Sequence, residues 1–103
     1  MNVRLKPFEI EAIITAFDKT FLPTDHLWIF GSRADMSKRG GDIDLYVETT
    51  LNSEDAVKSR IKLAVLICDE IGDQRIDVVL NLLNSDTQLP IYAKARREGV
   101  QLK

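Results

Sequence analysis

LWIFGS at positions 27–32 and, nine residues further on, DIDLYVE at 42–48 read as two strands of different character. Leu27, Trp28, Ile29 and Phe30 form an uninterrupted β-favourable run that stops at Gly31, the pattern of a strand buried on both faces. Trp28 and Phe30 lie on one side and Leu27 and Ile29 on the other. From Asp42 to Glu48 polar and apolar residues alternate, with the amphipathic Tyr46 in a polar place, so this strand has two unlike faces. The polar stretch between them, about ten residues, is too short for a full crossover helix and implies a short helix or loop.

Outward from this pair, the flanking segments alternate in type. Pro7 suits a first helical turn, and Ile10, Ile13, Ile14, Phe17 and Phe21 recur at helical spacing, which predicts a helix over 7–20 ended by Pro23. Downstream, Asn52 or Ser53 caps a helix with Glu54 and Asp55 in its first turn and Gly72 at its end. Val57, Ile61, Ala64, Val65, Cys68 and Ile71 are expected to form its inner stripe. Residues 75–81 are rich in Ile and Val and read as a third strand. A loop over 82–86 leads to a last helix over 89–98, with Pro90 in its first turn and Gly99 as its stop. The order helix, strand, strand, helix, strand, helix predicts an α/β fold in which helices pack on a small mixed β-sheet.

With 103 residues there is room for a single domain, 1–103. Fourteen Lys plus Arg against sixteen Asp plus Glu, with 45% apolar residues, is a globular balance and not that of a strongly basic nucleic-acid binder. The cations at Lys58, Arg60 and Lys62 and at Lys94, Arg96 and Arg97 do not fall on one stripe, so a nucleic-acid groove is unsupported. Cys68 is the only cysteine and sits in the longest apolar run, 63–68, where it reads as a small buried hydrophobe. That run is far below the ~18 residues that cross a bilayer, and the N-terminus MNVRLKPFEIE has no apolar signal core. A cytoplasmic protein with no membrane partner is the expectation.

Chemistry concentrates on the acids. On a strand, residues i and i+2 project from one face, which puts Asp42 and Asp44 about 7 Å apart at the backbone. Two like charges so placed either stay solvated on the wet face of an edge strand, or are neutralised by a hard divalent cation. Asp77 lies between Ile76 and Val78 in the third strand, where aspartate is depleted. If that strand neighbours the second, three carboxylates converge. Gly31 and Ser32 close the first strand, in ordinary turn chemistry that also suits a phosphate: glycine permits close approach, and the hydroxyl stands beside successive backbone N–H groups.

FGSRADMSKRGGDIDLYVE at 30–48, followed by RIDVVL at 75–80, resembles the nucleotidyltransferase superfamily that includes DNA polymerase beta, and specifically its minimal nucleotidyltransferase (MNT) members. The resemblance implies the nucleotidyltransferase fold, with Gly31, Ser32 and Arg33 holding the triphosphate of a nucleotide. It implies that Asp42, Asp44 and Asp77 are both the catalytic triad and the ligands of Mg2+, with two ions expected. Such a site transfers a nucleoside monophosphate, AMP from ATP being the expected case, by in-line displacement at the alpha phosphorus. Two positions depart from the common pattern. Gly41 stands where Ser or Thr often precedes the first aspartate, and Ala34 is followed by Asp35 and Met36 where many relatives carry Arg or Lys and then Gly. An acid beside a triphosphate weakens its binding; Arg33, Lys38 or Arg39 is the available compensation.

Minimal members are often encoded beside a HEPN-domain toxin, to which they attach AMP at a tyrosine. The resemblance therefore implies an antitoxin whose acceptor is a hydroxyl of a HEPN-domain partner protein. The alternatives are a binding subunit that takes up nucleotide without turnover, for which Asp35 speaks, and a small-molecule nucleotidyltransferase acting as a homo-oligomer. His26 has no Ser or Cys placed to partner it and reads as a surface turn histidine. Tyr46 shares the face of the acids, and its ring is expected to pack beneath a helix.

Overall fold

The computed structural model describes residues 3–35 and 41–103. Helix α1 (Pro7–Thr20) begins with proline at its first position, and Glu9 Oε1 accepts the Lys6 N–H at 2.8 Å, which satisfies one of the donors a helix start leaves over. Strand β1 (His26–Phe30) runs into a single 3-10 turn, Gly31–Ala34. Strand β2 (Ile43–Thr49) then leads through Asn52 into helix α2 (Ser53–Ile71). Asn52 caps that helix, its Oδ1 accepting the Asp55 N–H at 2.8 Å. Strand β3 (Ile76–Leu82), helix α3 (Pro90–Glu98) and the two-residue strand β4 (Val100–Gln101) complete the chain.

The four strands form one mixed sheet in the order β3-β2-β1-β4. β1 is antiparallel to β2 and to β4, and β2 is parallel to β3. A parallel neighbour requires a crossover, which α2 supplies. The expected α/β class, with helices on a small mixed sheet, is therefore what the chain adopts, and the passage from β1 to β2 begins with the anticipated short helical turn.

Alternation along β2 divides the two faces. Ile43, Leu45 and Val47 enter the larger core with Ile13, Phe17 and Leu63 beneath α1 and α2. Tyr46 points the other way, into a smaller cluster with Trp28, Tyr92 and Ala95 under α3. Each strand of the β1–β2 pair is thus covered on both sides, and the sheet has layers above and below.

Two expectations are corrected. The buried side of α2 is Ala56, Leu63 and Ile67, whereas Val57, Ile61 and Val65 are 41%, 59% and 53% exposed. The helix carries two overlapping apolar stripes about a third of a turn apart, and the sheet takes the one whose first member is alanine, which lets the first turn approach closely. β4 was not anticipated. Gly99 makes it possible: a Cβ there would lie 2.3 Å from the Ala95 carbonyl oxygen and 2.8 Å from that of Ile29, so only glycine lets the chain leave α3 against β1.

Among the described residues, no helix is long and apolar enough to cross a membrane.

Candidate active site

The acids meet where β1 ends and β2 and β3 begin. Phe30 is the register partner of Asp44 across the antiparallel pair, and Asp44 is the register partner of Asp77 across the parallel one. Directly paired residues share a face, so Asp44 and Asp77 project together, on the side of Tyr46 and away from the larger core. Asp42 lies one residue ahead of β2 and is exposed. Arg75 links it to Asp77, with Nε 3.8 Å from Asp42 Oδ2 and 3.8 Å from Asp77 Oδ2. All three acids named from the sequence are therefore brought to one place.

Electrostatics follow the geometry. Partial burial, reinforced by the charges of Asp77 and Asp42, pushes the Asp44 carboxyl above its ordinary range, and Arg75 offsets only part of this. This is a cluster of negative charge whose central member resists ionisation.

Gly31 has φ +71, and a Cβ on it would sit 2.2 Å from Asp44 Oδ2. No side chain can stand between the turn and the carboxylate, and the left-handed backbone favours glycine independently. The Gly-Ser turn and the acid pair are in this way packed as one unit.

Two arginines hold that turn. Arg4 donates from Nε and from a terminal nitrogen to the Ser32 carbonyl at 3.1 and 3.0 Å, and Arg33 donates to the carbonyls of Arg4 at 2.8 Å and Gly41 at 3.2 Å. The guanidinium of Arg33 is thus turned to backbone oxygens on either side of its own loop. Ser32 is half-buried beside them. Lys38 and Arg39, the other cations considered for phosphate, lie outside the described residues.

Hard oxygen donors on three acids suit a divalent cation in kind. Among the described residues, no group of three or more His, Cys, Asp or Glu side chains is placed so that it could hold a metal ion. The cationic charge beside them is that of Arg75, which lies 3.8 Å from Asp42 and from Asp77. Asp42, Asp44 and Asp77 are the residues that offer carboxylate oxygens here.

Sequence reasoning missed Arg4 and Arg75, and it missed a polar network under α3. Tyr46 is fully buried and donates to Glu48 Oε2 at 2.8 Å, and Asn81 Nδ2 donates to the Tyr46 hydroxyl at 3.0 Å. Arg96 reaches Glu48 Oε2 at 3.4 Å while stacking over Trp28 at 5.7 Å. Burial, with Glu48 adding to it, pushes the Tyr46 hydroxyl up to about 12. This network fastens α3 to the sheet behind the acids and leaves Tyr46 in a packing role, as expected. The alternation Asp44-Tyr46-Glu48 opposite Asp77-Val79-Asn81 is the signal that marks it.

The remaining candidates are structural. His26 is exposed, with Nδ1 3.2 Å from the Lys103 carbonyl oxygen. The neighbouring Asp25 is buried and accepts from the Thr49 hydroxyl at 2.7 Å and the Leu22 N–H at 2.9 Å. Cys68 donates to the Gln74 carbonyl at 3.5 Å. No protein-family model matches the chain, and no curated protein matches it either.

Proposed function

We propose that the chain is a Mg2+-dependent nucleotidyltransferase of the minimal type, which moves a nucleoside monophosphate, AMP from ATP, onto a hydroxyl of a partner protein. The observation that carries this assignment is the placing of Asp44 between Asp77 on one side and the backbone of Gly31 on the other. Such a reaction needs carboxylates beside a turn that accepts phosphate, and the Asp44 carboxylate lies against Gly31, which supports the reading. Asp42, Asp44 and Asp77 hold the cations. Gly31 and Ser32 receive the triphosphate, and Asp77, on the outermost strand, faces the incoming hydroxyl as a candidate proton acceptor. Arg4 and Arg33 fix the turn.

The acceptor is proposed to be a HEPN-domain toxin, with this chain as its antitoxin. The resemblance of the Gly-Ser and Asp-Ile-Asp segments supports it. Labelled ATP, magnesium and the copurifying partner, incubated with the chain, should label the partner. Label that persists with Asp42→Asn plus Asp44→Asn would refute catalysis by these acids.

A second reading, nucleotide uptake without turnover, is favoured by one observation: the Arg75 guanidinium lies against Asp42 and Asp77, where its charge competes with that of a cation. Inhibition of the partner without label, and unchanged in the double variant, would select it.

A further inference from the structure

The residues ahead of α1 lie against the Gly-Ser turn. Val3 is buried in the larger core, and Lys6, with an extended backbone, opens the helix. Between them Arg4 and Arg33, 29 residues apart in sequence, exchange hydrogen bonds. The Arg4 N–H donates to the Arg33 carbonyl at 2.7 Å, and the Arg33 guanidinium donates back to the Arg4 carbonyl at 2.8 Å. Arg4 also grips the Ser32 carbonyl with Nε and a terminal nitrogen, at 3.1 and 3.0 Å. Residues 3–6 are thus strapped across the turn, anchored at one end by burial and at the other by the start of α1.

The same pair reaches the acids. The other terminal nitrogen of Arg33 donates to the carbonyl of Gly41 at 3.2 Å, and Gly41 is joined by its peptide to Asp42. Asp44 is placed by the sheet and by Gly31. Asp42 precedes β2 and is exposed, and its ion pair with Arg75 is long, at 3.8 Å. Its place is therefore set through the backbone on either side: Ile43, whose N–H donates to the Arg75 carbonyl at 2.9 Å, and Gly41, held by Arg33. Both terminal nitrogens of Arg33 face backbone oxygens, and its Nε is buried without a partner among the described residues. A planar fork that bridges two carbonyls is geometry that arginine offers and lysine does not.

We propose that Arg4 and Arg33 are positioning residues of the nucleotide site, and that the strap they close is coupled to nucleotide uptake. This rests on the nucleotidyltransferase reading, in which Gly31 and Ser32 receive phosphate and Asp42 holds a cation. Arg4 sets the peptide of Ser32 and Arg33 sets the peptide of Gly41, so one closed strap fixes the turn and the first acid relative to each other. When the strap opens, that common reference is lost, and the nucleotide and its cation are held less tightly. The strap is fastened by part-buried polar bonds, which open locally more readily than a packed core. Linkage then runs both ways: the factor by which closure raises nucleotide affinity is the factor by which bound nucleotide favours closure.

Calorimetric titration of MgATP into the full chain compares wild type with Arg33→Lys, Arg33→Gln and Arg4→Gln. Positioning predicts that all three lose affinity, by about tenfold, and that salt weakens binding with one slope in wild type and Arg33→Gln. If Arg33→Lys binds as wild type does while Arg33→Gln binds weakly with a shallower salt slope, Arg33 contacts phosphate and the proposal is overturned. Hydrogen exchange of the unaltered chain is the second measurement, independent of any variant's folding. With MgATP saturating, the Arg4 amide should exchange about tenfold more slowly. An Arg4 amide indifferent to nucleotide, or wild-type uptake matched by all three variants, would overturn this proposal alone. A wild-type chain that takes up no MgATP would remove it together with the reading on which it rests.

Discussion

Asp77 lies directly beside Asp44, its register partner across the parallel β2–β3 pair, and both side chains leave the sheet on the face that carries Tyr46. From sequence alone this pairing was conditional on strand order. With β3 as the neighbour of β2, the acid from 77 and the pair from 42 and 44 belong to one site.

The first consequence concerns pH. The Asp44 carboxyl is raised above its ordinary 3.8 when folded, so the folded state holds that proton more tightly than the unfolded one. The contribution to stability is fully present below 3.8 and is lost as pH rises through the raised value. At neutral pH the ionised group opposes folding. Asp44→Asn should raise the thermal midpoint at pH 7 by up to about 5 °C, in keeping with repulsion of at most ~1 kcal/mol at a partly exposed site. The gain should vanish near pH 3. Thermal denaturation followed by circular dichroism across pH checks both statements.

Gly31→Ala should destabilise the fold by roughly 2–4 kcal/mol, because it combines a left-handed backbone with a methyl placed on Asp44 Oδ2. The two parts separate in a double-mutant cycle. Asp44→Ala should recover the steric part and leave the backbone part, so the two changes together cost less than their sum. Denaturant midpoints of the four proteins measure the coupling, and strict additivity would contradict the packing described.

Tyr46→Phe removes a hydroxyl that donates to Glu48 and accepts from Asn81, both buried. The loss should be about 1–3 kcal/mol, the cost of leaving buried polar groups without a partner. The folded-state rise of the Tyr46 hydroxyl from 10.0 to about 12 adds stability that is complete below pH 10 and disappears between there and about 12. Wild type should lose stability over that interval more steeply than Tyr46→Phe. Equal slopes in alkaline denaturation would mean that the hydroxyl ionises as freely in the fold as in the unfolded chain.

Arg75 stands between Asp42 and Asp77 where a cation is proposed to bind. Both ion pairs are exposed and long, so Arg75→Gln should cost less than about 1 kcal/mol in metal-free buffer. With the competing charge gone, magnesium should raise the thermal midpoint at severalfold lower concentration than in wild type. A magnesium response that is unchanged, or shifted to higher concentration, would place the cation elsewhere.

Much of the fold was legible because its elements are punctuated locally. Pro7, the Asn52 cap and the glycines at 31, 72 and 99 set boundaries within a residue or two of those observed. The period-2 pattern at 42–48 correctly divided the faces of β2. What failed was the face of α2, since Val57, Ile61 and Val65 form as regular a stripe as Ala56, Leu63 and Ile67, and periodicity cannot choose between stripes without the sheet. β4 was missed because two residues carry no pattern. In the site, the three acids were found from strand alternation and the turn from its glycine. Arg4 was not, because its bond to Ser32 spans 28 residues of sequence and leaves no local trace.

Isothermal titration calorimetry of MgATP into the full chain, set against Asp42→Asn plus Asp44→Asn, tests the central claim most directly. The account predicts saturable uptake by wild type that requires magnesium and is lost in the double variant. Heat of binding that is absent in wild type, or unchanged when both acids are neutralised, would contradict it.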